Sequence, residues 1–244
     1  MRKKVIHWVF WILVLFCLLL ATVLFSFCTG PVGMPLKKIL KVIFEGRGSS
    51  EYSILFDIRL PRIILGFAIG GALSLAGVIL QGMFRNPLVE PYTLGISGGA
   101  AVGVCLNIVL GLSRGLGIIS LPICGFLGAI LVILLVYFLS IRKGILKMQG
   151  LLLTGVMISF ISSSLIMLIM SVSHTEDLHG IVFWVMGSLE EPNWLLIKLA
   201  LGIAVFGLAV SYLFCFDLNA FSLGEEEALH LGINVERTKR LLFI

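Results

Sequence analysis

Apolar residues gather along this chain into six long uncharged runs, at 8–28, 63–84, 91–113, 115–141, 148–173 and 199–216. Each is near or above the roughly 20 residues a helix needs to cross the hydrocarbon core of a bilayer. The pattern therefore predicts six membrane spans. Leu241-Leu242-Phe243-Ile244, directly after the basic Arg237-Thr238-Lys239-Arg240, read as the opening of a seventh. The expected fold class is all-α, a polytopic helical membrane bundle, with residues 1–244 as one transmembrane domain.

Two stretches between the runs carry a different rhythm. In 35–45, Leu36, Ile39, Leu40, Ile43 and Phe44 recur at helical spacing with Lys37, Lys38 and Lys41 opposite, so a short amphipathic helix is expected on the outer membrane surface. Pro35 suits its first turn and Gly46 its end. In 217–240, Ser222 stands three residues before Glu225 in a capping pattern, Leu223, Ala228 and Leu231 can form one apolar face, and Gly232 is a natural stop. An anionic leaflet would repel Glu225-Glu226-Glu227, so this segment reads as a docking element for a protein partner rather than for lipid.

Composition agrees with lipid as the solvent: 59% of the residues are apolar and 13% charged, too much apolar area for a water-soluble domain. Arg2, Lys3 and Lys4 place the amino terminus in the cytoplasm, and Arg85, Arg142, Lys143, Lys147 and the Arg237–Arg240 group then fall on the same side. The start imitates a secretory signal without a small-x-small cleavage site, and is taken as an uncleaved helix. The first outside connection, 29–61, is the exception, with Lys37, Lys38, Lys41, Arg47 and Arg59. Those charges call for a specific role.

Inside the spans, Gly66 and Gly70, and the stripe Gly95, Gly99 and Gly103, are spaced for close helix approach in lipid. Pro87 and Pro91 force a turn between the second and third spans. The fifth span holds Thr154, Ser159, Ser162, Ser163 and Ser164 with Met157, Met167 and Met170. It either lines a path for a large solute, or its hydroxyls bond carbonyls four residues back and pack against neighbours. None of the six runs has a charge near its centre, which argues against coupling to protons or ions. The five cysteines lack pairing or metal-ligand spacing, and although His174 and His179 invite a metal reading, two imidazoles in a hydrophilic outside loop are read as solvated. No phosphate-binding loop or nucleophile–base arrangement is seen, so neither enzyme chemistry, a cofactor nor a nucleic-acid partner is expected.

Several motifs in order resemble the FecCD-type family of ABC importer permeases for iron-siderophores, haem and cobalamin. They are Arg59-Leu60-Pro61-Arg62, Gly77 and Gln81, Asn86-Pro87-Leu88 with Glu90-Pro91, and Leu94-Gly95-Ile96-Ser97-Gly98-Gly99-Ala100. Trp184-x-x-Gly187-Ser188, Leu223-Gly224-Glu225-Glu226, Ala228 and Leu231-Gly232 continue the likeness. The resemblance implies a permease of about ten helices working as a dimer, here a homodimer, in the cytoplasmic membrane of a bacterium or archaeon. A cytoplasmic ATPase and an extracytoplasmic substrate-binding protein are its implied partners. It further implies that Arg59 and Arg62 receive glutamates of the binding protein, sharing one exposed face. Asn86 and Leu88 fall at a cytoplasmic gate, and Thr154, Ser159, Ser162, Ser163 and Met167 along the translocation path. Leu223, Gly224, Glu225, Glu226, Ala228, Leu231 and Gly232 fall in the helices that couple to the ATPase, with Leu223 and Leu231 as anchors. Against the family's ten helices this sequence is expected to lack the last several, so the rival reading is a permease-derived scaffold that binds partners without transport.

Overall fold

The computed structural model of the chain describes residues 2–46, 48–142, 145–191 and 193–243. Arg47, Lys143 and Ile244 lie outside that set. The helices are α1 (Arg2–Cys28), α2 (Leu36–Glu45), α3 (Ser50–Phe84), α4 (Ile96–Val109), α5 (Ser120–Ser140) and α6 (Met148–Val172). They continue as α7 (Thr175–Met186), α8 (Trp194–Leu213), α9 (Cys215–Leu223), α10 (Glu225–His230) and α11 (Val235–Phe243). A two-residue antiparallel pairing, Ile141–Arg142 with Ile145–Leu146, pins the reversal between α5 and α6. The chain is a polytopic helical membrane protein.

Five of these helices, α1, α3, α5, α6 and α8, are long and apolar enough to span a bilayer. The run at 91–113 departs from expectation. Pro91–Leu94 forms a tight 3-10 turn, Gly95 takes φ +76°, and the helix that follows has 14 residues. At 1.5 Å per residue that is about 21 Å, short of the roughly 30 Å hydrocarbon core. Apolarity alone could not reveal the left-handed glycine that divides the run.

By internal contacts the chain divides into two compact units. One comprises Met1–Gly70 with Leu189–Ala204. Here α2 is the expected amphipathic helix: Ile39 and Val42 pack with Met34 and Leu55, against Phe27, Cys28 and the stacked pair Tyr52–Phe56. Leu36, Leu40, Ile43 and Phe44 remain exposed, and Lys38 pairs with Glu51 at 3.0 Å. Near its start α3 widens into a π-helical turn over Ile54–Arg59. Such turns are rare overall and are frequent at functional sites.

The second unit comprises Gly71–Ser188 with Val205–Ile244. Its core joins Leu80, Met83, Val89, Leu94, Val132, Val136, Leu146, Leu151, Ile158 and Phe243. Two members of the predicted glycine stripe, Gly99 and Gly103, bring α4 against α5, whereas Gly95 stands outside the helix and lies against Gly155 and Ser159 of α6. A Cβ on Gly103 would lie 2.2 Å from the Cys124 carbonyl oxygen, and one on Gly99 would lie 2.4 Å from Cγ2 of Val132. Across from them, a Cβ on Gly128 would lie 2.2 Å from the Gly99 carbonyl oxygen. Gly66 and Gly70 behave differently: a Cβ on Gly66 would touch only Leu189, at 3.5 Å, and one on Gly70 meets nothing within 4 Å. Among the described residues, their spacing does not bring another helix backbone as close as the Gly99 and Gly103 positions do.

Candidate functional site

The candidate positions fall into three groups, built from different parts of the chain. The first lies where α1 ends and α3 begins. A helix leaves its last carbonyls without intrahelical donors, and a cation nearby also meets the negative end of the helix dipole. Arg59 does both for α1, its guanidinium donating to the Phe27 carbonyl in the last turn and also to the Val32 carbonyl in the loop that follows. It is 8% exposed. Arg62, one turn on, instead points outward and pairs with Glu190 at 2.7 Å. The turn is helical as expected, but the two arginines do not share an exposed face, because capping α1 draws Arg59 inward. Gly30 makes room: its φ is +144°, and a Cβ there would come 3.0 Å from Arg59 Nη2. Arg59, Arg62 and Glu190 line a cavity of about 430 Å³ with Ser26, Thr29 and Ile58.

The second group is on α6. Ser159, Ser163 and Ser164 donate to the carbonyls of Gly155, Ser159 and Phe160, each at 3.0 Å, as the packing alternative expected. The five path candidates divide between two faces. Thr154 stands 3.5 Å from the Ser140 hydroxyl, while Ser159 and buried Ser162 lie against Gly95 and Gly98. Ser163 and Met167 are exposed, and with Met157 and Phe160 they form an outward stripe. Sequence spacing marked the helix that carries these hydroxyls but not which of its polar groups close packing would consume.

The third group gathers the turn after α3 and the short helices after α8. Arg85 takes φ +50°, and Asn86 Oδ1 accepts from the Leu88 amide at 2.9 Å. Gln81 Nε2 donates to the Pro87 carbonyl at 3.1 Å. This local bonding stiffens the turn and leaves Leu88 82% exposed. In α10, Ala228 is buried with Ala220, Phe221 and Val235, whereas Leu223 and Leu231 are 67% and 64% exposed. The three therefore do not make one face. Nor does Ser222 cap α10: its hydroxyl donates to the Asn219 carbonyl, and Gly224, at φ +133°, occupies the cap position. Gly232, at φ +81°, ends the segment as expected.

Glu225 and Glu226 also diverge. Glu226 is exposed, while Glu225 pairs with Lys239 of α11 at 2.7 Å. Lys239 also lies 3.5 Å from Glu236, whose second oxygen accepts from the Leu146 amide at 3.1 Å. Sequence reasoning missed this cluster and Glu190. The i, i+3 spacing of Glu236 and Lys239 was the one available signal. Near α7, His174 Nδ1 is 4.0 Å from Asp177 Oδ2, and His179 Nδ1 bonds the Thr175 carbonyl at 2.8 Å.

The model of the FecCD transport family matches residues 18–244. Over 189 residues the chain is 35% identical to the cobalamin import system permease protein BtuC of Halobacterium salinarum, covering 78% of this chain and 50% of that one. The hemin transport system permease protein HmuU of Yersinia pestis is 36% identical over 196 residues, 79% of this chain and 58% of its own. The molybdate import system permease protein MolB of Haemophilus influenzae is 34% identical over 226 residues, 89% and 65% respectively. A solved metal-chelate type ABC transporter in an inward-facing conformation matches with TM-score 0.80 at 30% identity, covering 94% of this chain and 70% of that one. The chain thus spans half to about two thirds of the length of these curated relatives.

Proposed function

Because this chain belongs to the FecCD transport family, we propose that it acts as the membrane-spanning subunit of a binding-protein-dependent ABC importer. Its cargo in this reading is an iron-siderophore, haem or cobalamin-type compound. It pairs with a second copy of itself in the cytoplasmic membrane, with the amino terminus in the cytoplasm. A separate cytoplasmic ATPase drives it, and an extracytoplasmic binding protein delivers cargo. The observation that carries the reading is the family match over 18–244, which includes the Arg59–Arg62 turn, the Asn86–Leu88 turn and the 223–232 segment.

Each proposed role follows from local chemistry. Arg62 offers a half-exposed planar donor that suits a partner's carboxylate, while Arg59 holds the wall on which that donor stands. Leu88 is the gate side chain, and Asn86 fixes its direction through the turn it closes. Ser163 and Met167 face the path, and Thr154, Ser159 and Ser162 hold the path helix against its neighbours. Hydroxyl and thioether groups bind a large solute weakly enough to release it. Leu223 and Leu231 are apolar anchors for an ATPase groove, presented by a segment that buried Ala228 fastens from behind.

The test is uptake into vesicles carrying this chain with a candidate ATPase and binding protein. Ferric siderophore, haem and corrinoid are offered in parallel, with molybdate added because a molybdate permease is among the relatives. ATP-dependent uptake of a chelate, haem or corrinoid supports the proposal. Uptake of molybdate alone supports the importer and replaces the cargo.

A further inference from the structure

Arg62 already has a carboxylate. Its Nη2 stands 2.7 Å from Glu190 Oε1, with the two side chains 45% and 72% accessible. Both line the cavity beside the end of α1, together with Arg59, whose guanidinium is committed to the Phe27 and Val32 carbonyls. Among the described lining residues, Glu190 is the acid set against two guanidiniums. A partner carboxylate approaching Arg62 would meet this resident one.

We propose that Glu190 occupies Arg62 until a carboxylate of the binding protein displaces it, so that docking exchanges one ion pair for another. This rests on the reading of Arg62 as a docking residue. An exposed pair shifts an equilibrium by only about one- to five-fold, so Glu190 yields to a carboxylate held in a better desolvated interface. It also returns when the emptied binding protein must leave, which keeps docking reversible. Until then it covers a donor that any stray anion could claim, a repulsive element that selects the partner.

Three variants test the exchange. Glu190→Gln removes the competitor and keeps the shape. Glu191→Gln removes the same charge one residue on, from a side chain whose Oε1 accepts from the Asn193 amide at 2.9 Å. Arg62→Ala removes the shared partner. Each chain is assembled with its ATPase in nanodiscs and titrated with the binding protein that supports uptake in the assay above. Phenylglyoxal modification of Arg62, followed by mass spectrometry, reads the same pair without any partner.

Glu190→Gln is expected to raise both the affinity and the modification rate about two- to five-fold. Glu191→Gln should raise neither, and Glu190→Gln should add no affinity in the Arg62→Ala background. A Glu190→Gln chain with unchanged modification and unchanged or weaker docking overturns the exchange. If Arg62→Ala weakens docking while Glu190→Gln does not tighten it, the exchange fails and the docking role of Arg62 stands. If Arg62→Ala leaves affinity unaltered, the docking role itself fails.

Discussion

Lys239 holds its ammonium 2.7 Å from Oε2 of Glu225 while only 3% of its side chain reaches solvent. Through Glu236, 3.5 Å away, the same cation is joined to the Leu146 amide at the foot of α6. Removing Glu225 leaves the buried ammonium with Glu236, 3.5 Å away, as its remaining acid among the described residues, whereas removing the cation leaves two acids that are 41% and 36% accessible to water. A fully buried and unpaired charge would cost about 3–5 kcal/mol, and the remaining acid and the exposure of both carboxylates lower the expectation to about 1–3 kcal/mol. We expect Glu225→Ala to destabilise more than Lys239→Met, with thermal unfolding of the purified chain in detergent as the measurement. The reverse order would show that the pair does not hold α10 to α11.

Arg59 and Arg62 should separate by experiment. Loss of two charge-assisted bonds to the Phe27 and Val32 carbonyls is expected to cost about 2–4 kcal/mol in Arg59→Ala. Arg62→Ala gives up an exposed pair and should cost no more than about 1 kcal/mol. Thermal melts of both variants decide this, and equal losses would contradict the division of labour.

Glycines with the same spacing should differ sharply. Gly103→Ala must push a methyl group into the Cys124 carbonyl, an overpacking expected to cost about 1–3 kcal/mol or to prevent assembly of the α4–α5 pair. Gly70→Ala meets, among the described residues, no atom within 4 Å beyond its own stretch of helix and gains helix propensity, so its melting temperature should not fall. Comparing the two melts checks the assignment.

These contrasts show where the sequence was informative. The long runs of α1, α3, α5, α6 and α8 were legible because lipid demands length and apolarity, and both are written residue by residue. The amphipathic α2, the turn at Pro87 and the stop at Gly232 were legible for the same reason, since each depends on its immediate neighbours. The shortness of α4 was not, because Gly95 reads equally well as a packing residue and as a left-handed break. Arg59 and Arg62 look alike in the chain, and only the distant carbonyls of Phe27 and Val32 distinguish them. Likewise Glu190 and Glu225 acquire meaning from partners far along the sequence, Arg62 and Lys239, that no local pattern announces.

The exposed Leu223 and Leu231 carry the proposed contact with the ATPase. Leu223→Asp with Leu231→Asp should abolish co-purification with that ATPase, while the melting temperature of the chain changes by little because both side chains are already solvated. Retained co-purification would place the contact elsewhere.

ATP-dependent uptake is the measurement that bears most directly on the whole account. Vesicles containing this chain and the proposed ATPase and binding protein should accumulate a labelled ferric siderophore, haem or corrinoid when ATP is supplied to the ATPase side. Accumulation should stop without ATP and should survive collapse of the proton gradient, since no acidic or basic side chain lies near the centre of any of the six apolar runs. Uptake that follows a proton gradient in the absence of the ATPase, or no uptake from an intact complex of all three components, would contradict it.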